Sequence, residues 1–166
     1  MSNISTIPSI TYKVECGTER GTAFFIDAHR LLTAYHVVGS SLNGNPIYVE
    51  IEEVNYECEL IIVKPGKDIA ILIQKDQTVS HQYGSLLSMP IEAITHFRFW
   101  GYPKTLIGED VGGSVKIRVD EIYAPLRGDF DAYAVFEDEK HLSEYAGFSG
   151  SPVYTDSDKI IGIVTN

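Results

Sequence analysis

The 166-residue sequence is poor in cysteine, in basic residues and in long apolar runs, and each shortage excludes a class of protein. It has only two cysteines, Cys16 and Cys58, and its N-terminus lacks the pattern of a secretory signal, so we expect both thiols to be reduced. Its 13 Lys and Arg residues against 23 Asp and Glu residues give a net charge of −10, which argues against nucleic acid and anionic membranes as partners. No apolar run is long enough to span a bilayer. We therefore predict an intracellular, cytoplasmic protein.

What the sequence does contain is a series of short β-rich runs separated by turn residues. The irregular stretch 75–93 predicts a connection between two units, residues 1–80 and 81–166. Helical periodicity is scarce, and we expect one short turn after His36 and another near Leu86. The predicted strands are 11–16, 22–27, 31–34, 47–52, 56–63, 69–74, 96–102, 114–123, 131–136, 152–155 and 159–165. Many short strands at regular spacing are typical of barrels and sandwiches, so the predicted fold class is all-β.

Segment 147–152, Gly-Phe-Ser-Gly-Ser-Pro, places Ser149 between two glycines. Glycine can take positive φ, which suits a sharply bent loop that exposes a hydroxyl and aims backbone N–H groups at one point. Converging N–H groups beside a serine hydroxyl are what an oxyanion hole requires. Alone, however, such a cluster is more often a plain turn.

Two residues upstream could complete a system for proton transfer. His36 follows the apolar strand 31–34, and an imidazole can accept a serine proton and return it to a leaving group. The alternative is a histidine that caps a strand end. Asp68 stands at the entrance of another apolar strand, where a carboxylate can orient a histidine ring. Asp27 and Asp76 have similar settings, however, and a turn aspartate commonly bonds its own backbone.

Together these motifs resemble those of the chymotrypsin-like (trypsin-like) serine peptidases, particularly their compact bacterial branch. The order His, Asp, Ser is the order of that superfamily. Thr-Ala-Tyr-His at 33–36, Asp-Ile-Ala-Ile at 68–71 and the serine segment at 147–152 match its three catalytic motifs. Supporting matches are Gly-Thr-Ala-Phe-Phe at 21–25, Trp-Gly-Tyr-Pro at 100–103 and Ile-Gly-Ile-Val-Thr at 161–165. The resemblance implies two β-barrels with the active site between them.

The resemblance also implies a role for each matching residue. Ser149 would be the nucleophile, His36 the general base and then acid, and Asp68 the residue that fixes the imidazole tautomer. The backbone N–H groups of Gly147 and Ser149 would form the oxyanion hole. The reaction would be hydrolysis of a peptide bond through an acyl-enzyme.

Two further positions would bind the polypeptide substrate. Ser143, six residues before the nucleophile, would lie at the base of the primary specificity pocket, where a neutral side chain favours an uncharged substrate residue. Thr165 would pair its backbone with the substrate as an added strand. We expect no cofactor and no metal, because the five histidines show no ligand-type spacing.

The sequence departs from the family inside the serine segment. Phe148 replaces the aspartate that in digestive members pairs with a newly freed N-terminal amine, so activation by that ion pair is excluded. Ser151 stands where the family has a second glycine. Control of activity should therefore come from loop ordering, a partner or assembly.

A second departure concerns the predicted strands of the second unit, which number five where a barrel needs six. The second barrel would lack its last strand and leave an edge with unpaired N–H and C=O groups. We expect either a peptidase module of a longer stress or defence protein, with a covalently linked or associated regulatory module, or a neighbour that supplies the missing edge.

Two functions remain open at this point. The first is an active intracellular serine endopeptidase, which the presence of all three triad residues favours. The second is a catalytically latent peptide-binding or scaffold module on the same fold, which Ser151 and the unfinished pocket favour.

Overall fold

The computed structural model describes residues 4–87, 96–103, 112–123, 131–136 and 147–165. These residues form twelve strands and a single α-helical turn, α1, over Tyr35–Val38. Strands β1 to β12 span, in order, Thr11–Cys16, Glu19–Phe25, Arg30–Ala34, Ile47–Ile51, Val54–Lys64, Ile69–Gln74, Ser85–Leu86, His96–Gly101, Gly113–Tyr123, Asp131–Phe136, Pro152–Tyr154 and Lys159–Ile163. In the described part of the chain, no helix has the length and apolar character needed to cross a membrane.

The first six strands close into an antiparallel barrel in the order β1-β2-β3-β6-β5-β4. The pattern of β6 shows why: its residues alternate, and Ala70, Leu72 and Gln74 are buried while their neighbours are half-buried. The inward side chains of all six strands, with Val37 and Val38 from α1, form one apolar core. The barrel anchors α1 at the end of β3, because Val37 and Val38, the two residues after His36, are buried in that core.

The predicted strands of this barrel are all present. β1 and β6 have the predicted bounds, while β5 extends to Val54–Lys64 because it pairs with β4 at one end and β6 at the other. α1 begins at Tyr35, one residue before His36, so the expected short turn contains the histidine. The all-β fold class is confirmed.

The second sheet also has six strands, in the order β10-β9-β8-β11-β12-β7. Within the described residues nothing pairs β10 with β7. The sequence predicted five strands for this unit, and the sheet has six. All five strands predicted for the second unit are present.

The sixth strand of this sheet, β7, was not predicted. The sequence predicted a helical turn near Leu86, and that prediction is wrong: Ser85 and Leu86 form a strand parallel to β12. The N–H of Leu87 also donates to the carbonyl of Ile160 at 2.8 Å. A strand of two exposed residues has no local pattern of its own and exists only because β12 lies beside it.

An apolar cluster joins the two sheets. Ile7 and Ile10, from a 3-10 turn before β1, pack with Phe24 of β2, Tyr154 of β11 and Ile160 of β12. All five side chains are buried, so this cluster fixes how the serine-bearing sheet meets the barrel.

The two cysteines lie on either side of Ile47 inside the barrel. Cys16 is opposite Ile47 in the β1–β4 pair, and Cys58 is opposite the same residue in the β4–β5 pair. Two strand spacings separate their Cα atoms by roughly 9.5 Å, beyond the reach of a disulfide. Both are free thiols, and burial raises the pKa of Cys58 to about 12.

Candidate active site

Asp68 caps the turn that carries His36. It follows the 3-10 turn Pro65–Lys67 and takes a left-handed conformation with φ of 53°. Its carbonyl accepts the N–H of Tyr35 at 3.0 Å, and its Oδ1 accepts the N–H of His36 at 2.8 Å. These bonds satisfy two donors at the N-terminus of α1 that would otherwise lack a partner.

The second carboxylate oxygen of Asp68 holds the His36 ring. Nδ1 of His36 lies 2.6 Å from Oδ2 of Asp68, and the two side chains are 32% and 22% exposed. A carboxylate only accepts hydrogen bonds, so Nδ1 carries the hydrogen and Nε2 is left as a proton acceptor. The structure thus pairs the two residues that the sequence predicted to act together.

The other two aspartates with similar sequence settings serve their own turns. Asp27 accepts the N–H groups of His29 and Arg30, and Asp76 accepts the N–H and hydroxyl of Thr78. The hydrogen bonds from Thr78 lower the pKa of Asp76. Among these three carboxylates, only Asp68 has its side chain on a histidine ring.

The serine segment forms a bent loop from which one side chain projects. Gly147 and Gly150 take positive φ of 102° and 87°. The N–H of Ser151 donates to the carbonyl of Phe148 at 2.9 Å, which closes a tight turn around Ser149. Ser149 is half-buried while the four residues around it are buried. Among the described residues, no backbone carbonyl accepts the N–H of Gly147 or of Ser149.

This loop packs directly against the segment that carries His36. A Cβ on Gly150 would lie 2.9 Å from the backbone nitrogen of Ala34, two residues before His36. A Cβ on Gly21 would lie between Val37 of α1 and the carbonyl oxygen of Ser149, at 2.7 and 2.8 Å. Glycine at both positions therefore lets the serine loop and α1 meet.

The structure does not join all three predicted residues by hydrogen bonds. His36 and Asp68 are bonded to each other, whereas in the described part of the chain no hydrogen bond links the Ser149 hydroxyl to His36. The loop and the histidine are neighbours through their backbones. Such bonds are often long before substrate binds, and they shorten in the complex.

A family model for the trypsin-like peptidase domain matches residues 21–163. The chain belongs to the trypsin-like peptidases. It is accordingly a serine peptidase, and its substrates are polypeptides.

Several solved structures are similar to this chain. They include the active form of the Rv3671c protease of M. tuberculosis, with 20% identity and a TM-score of 0.70 over 97% of this chain and 71% of that chain. The inactive form has 22% identity and a TM-score of 0.71, over 97% and 79%. Deg5 has 16% identity and a TM-score of 0.74, over 98% and 81%. These identities show a shared fold and no more. The comparison with curated proteins yields no match.

Phe148 anchors the loop of this trypsin-like peptidase in the second sheet. Its ring is buried with Phe97 and Phe99 of β8, and it meets Phe99 edge to face at 5.0 Å between ring centroids. An apolar contact thus holds the loop at the position where digestive members of the family are expected to use an ion pair.

Ser151 is accommodated by a glycine on a neighbouring strand. A Cβ on Gly101 of β8 would run into the Ser151 hydroxyl, so the serine occupies space that any other residue at position 101 would fill. The Ser151 hydroxyl is buried and has no hydrogen-bond partner among the described residues.

Of the two predicted substrate-binding residues, the structure describes Thr165 but not Ser143. Thr165 is exposed and directly follows Val164, whose N–H and carbonyl pair with Ser151 and Gly150 at 2.9 and 2.8 Å. Thr165 therefore leaves the sheet beside the serine loop. Ser143 lies outside the described residues. Within those residues no three His, Cys, Asp or Glu side chains come together as a possible metal site.

Sequence reasoning missed one residue that contacts the serine loop. Thr22 lies in the segment 21–25 that matched the family, yet nothing in that match assigned it a role. In the structure it is fully buried, and its N–H donates to the carbonyl of Ser149.

Proposed function

We propose that this chain is a serine endopeptidase in which Ser149, His36 and Asp68 form the catalytic triad. The observation that carries the proposal is the 2.6 Å bond between Asp68 and the His36 ring, in a turn that packs against the serine loop. That bond leaves Nε2 of His36 free to accept a proton on the side away from Asp68.

The reaction proceeds in two halves. His36 takes the proton of Ser149 as its oxygen attacks the substrate carbonyl, and the proton passes to the leaving amine, so that an acyl-enzyme remains. In the second half, His36 takes a proton from water as the water oxygen attacks the acyl group. His36 then returns this proton to the Ser149 oxygen as the acyl bond breaks. The N–H groups of Gly147 and Ser149 stabilise the negative oxygen in both halves, and each such donor is typically worth about 2.7–4 kcal/mol.

We further propose how the substrate lies in the site. The exposed backbone of Thr165 pairs with it as an added strand, supported by the position of Thr165 next to the loop. Ser143 lines the primary specificity pocket and favours an uncharged side chain.

The wider context also remains a proposal. Residues 1–80 would be the unit that contributes His36 and Asp68, and residues 81–166 the unit that contributes Ser149. We propose a bacterial, cytoplasmic stress or defence protein in which a linked or associated regulatory module activates the site. We propose no nucleic acid, membrane, metal or cofactor as a partner.

A catalytically latent peptide-binding module is the second candidate. The observation that favours it is that no hydrogen bond joins the Ser149 hydroxyl to His36 among the described residues. In this case the loop would bind a peptide without cleaving it, until a partner brings the Ser149 hydroxyl within hydrogen-bond distance of His36.

A fluorophosphonate probe separates the two candidates, because it reacts only with an activated serine. We expect the wild type to be labelled, Ser149→Ala to be unlabelled, and Ser157→Ala to be labelled like the wild type. Ser157 is a matched control because it lies in the exposed turn between β11 and β12. A folded wild type that stays unlabelled would support the latent module. Labelling that persists in Ser149→Ala would contradict the assignment of the nucleophile.

A further inference from the structure

Thr22 of β2 uses its backbone and its hydroxyl to bond four different residues. Its N–H donates to the carbonyl of Ser149 at 2.8 Å, and its hydroxyl donates to the carbonyl of Gly147 at 2.8 Å. The same hydroxyl accepts the N–H of Tyr102 at 3.2 Å, and its carbonyl accepts the hydroxyl of Thr33 at 2.8 Å. The side chain is completely buried.

We propose that Thr22 is a positioning residue that sets the distance between the nucleophile and the general base. This inference rests on the proposed function, in which Ser149 and His36 have those roles. Thr22 does not touch the reacting atoms and acts through the loop that carries them.

Thr22 bonds both ends of the tripeptide Gly147–Ser149, which carries the nucleophile. Its two donors bond the carbonyls of Gly147 and Ser149, which are two residues apart in a bent loop. Together the two bonds restrain both ends of this segment relative to β2, because the hydroxyl holds Gly147 and the N–H holds Ser149.

β2 is paired with β3, the strand that leads directly into the turn carrying His36. Ala23 is opposite Thr33 in the β2–β3 pair, and the Thr33 hydroxyl adds a bond to the carbonyl of Thr22. β3 ends at Ala34, and α1 follows at once with His36. Hydrogen bonds thus link the Ser149 loop through Thr22 to Thr33, and the chain continues from Thr33 through Ala34 into α1.

The two bonds made by the Thr22 side chain require a hydroxyl at position 22. One atom donates to Gly147 and accepts from Tyr102, and a threonine or serine Oγ can do both. This oxygen also lies close to the backbone of Gly101, where an added Cβ would come within 2.9 Å of it. Valine has the same shape as threonine but can make neither bond.

Thr11 offers a matched control for the loss of a buried threonine hydroxyl. It is also completely buried, and its hydroxyl donates to the carbonyl of Ile7 at 2.7 Å. Ile7 belongs to the turn before β1 and makes no bond to the serine loop. Thr11→Val therefore removes a similar buried bond from a hydroxyl that, among the described residues, does not bond the serine loop.

The experiment measures the second-order rate of labelling by a fluorophosphonate probe across pH, together with the melting temperature of each variant. For Thr22→Val we expect labelling about 10- to 100-fold slower at every pH, because a displacement of 1 Å can cost about 100-fold. Thr22→Ser should restore the rate to within about threefold of the wild type. Thr11→Val should melt earlier but keep the wild-type rate.

Three other results would overturn the positioning role of Thr22. Wild-type labelling with an equal rate in Thr22→Val would overturn the positioning role while leaving the proposed function intact. An unlabelled wild type would refute the proposed function and this inference with it. If Thr22→Val does not fold, Thr22→Ala, which adds no methyl group, is tested in its place. Failure of both to fold would make the hydroxyl a purely structural requirement and overturn the proposal.

Discussion

A single methyl group added at Gly150 would meet the first barrel from three sides. The Cβ of an alanine there would lie 2.9 Å from the nitrogen of Ala34 and 2.6 Å from the hydroxyl of Thr33, and closer still to the carbonyl oxygen of Thr22. Two of these three atoms belong to the backbone of paired strands, so they cannot rotate away. Gly150 also has φ of 87°, a conformation that residues with a Cβ rarely adopt.

These two effects set the expected cost of Gly150→Ala. The left-handed conformation costs an alanine about 1–2 kcal/mol. Overpacking of a close-packed region typically costs about 1–3 kcal/mol. We therefore expect the free energy of unfolding to fall by about 2–5 kcal/mol. Ordinary contact begins at 3.4 Å, so the loop would have to retreat by about 0.8 Å from the Thr33 hydroxyl and by more than that from the Thr22 carbonyl. Labelling of Ser149 should therefore slow by tens of fold.

Gly44 provides a control that separates the two effects. Its φ is 95°, but a Cβ there would meet nothing within 4 Å. Gly44→Ala should cost only the conformational part, about 1–2 kcal/mol, and should be labelled at the wild-type rate. Urea unfolding gives the stabilities, and a fluorophosphonate probe gives the labelling rates. Equal stabilities of the two variants, or wild-type labelling of Gly150→Ala, would refute the close packing of the loop on the barrel.

Two further predictions concern a carboxylate and a histidine. Asp68→Asn should slow labelling of Ser149 by about 10⁴-fold, because an amide can hold the His36 ring in the wrong tautomer; Asp76→Asn should not, and similar losses in both would contradict the assignment of Asp68. Burial, helped by the nearby His29, lowers the pKa of His81 below its ordinary value near 6.5. The unfolded chain therefore binds this proton more readily, so its contribution to stability is complete above about pH 6.5 and is lost as the pH falls towards the folded pKa. The urea midpoint of His81→Phe should fall less between pH 7 and pH 5 than that of the wild type, and equal falls would show that His81 is not the source.

Most strands could be predicted because their signals are local. β6 is an apolar run from Ile69 to Ile73, between a turn at Pro65–Lys67 and polar residues after Gln74. Its predicted and observed bounds agree, as do those of β1 and β10. The signal failed for β7, because two exposed residues become a strand only through pairing with β12.

In the candidate site, too, some features follow from local sequence and others only from the fold. The motifs around His36, Asp68 and Ser149 could be recognised from the order and spacing of residues. Asp27, Asp68 and Asp76 all have turn settings in the sequence, and only the match of Asp-Ile-Ala-Ile at 68–71 to the family singled out Asp68. Only the fold shows which carboxylate reaches a histidine ring.

The sequence by itself determined the all-β class, the approximate positions of eleven of the twelve strands, and which residues have the right chemistry for a serine peptidase. Each of these depends on residues close together in the chain. The tertiary structure alone decided that Thr22 bonds the serine loop, which follows it by 125 residues or more, and that Gly150 touches the backbone before His36. Such contacts depend on how two separate sheets pack, and no periodicity or spacing along the chain encodes that distance.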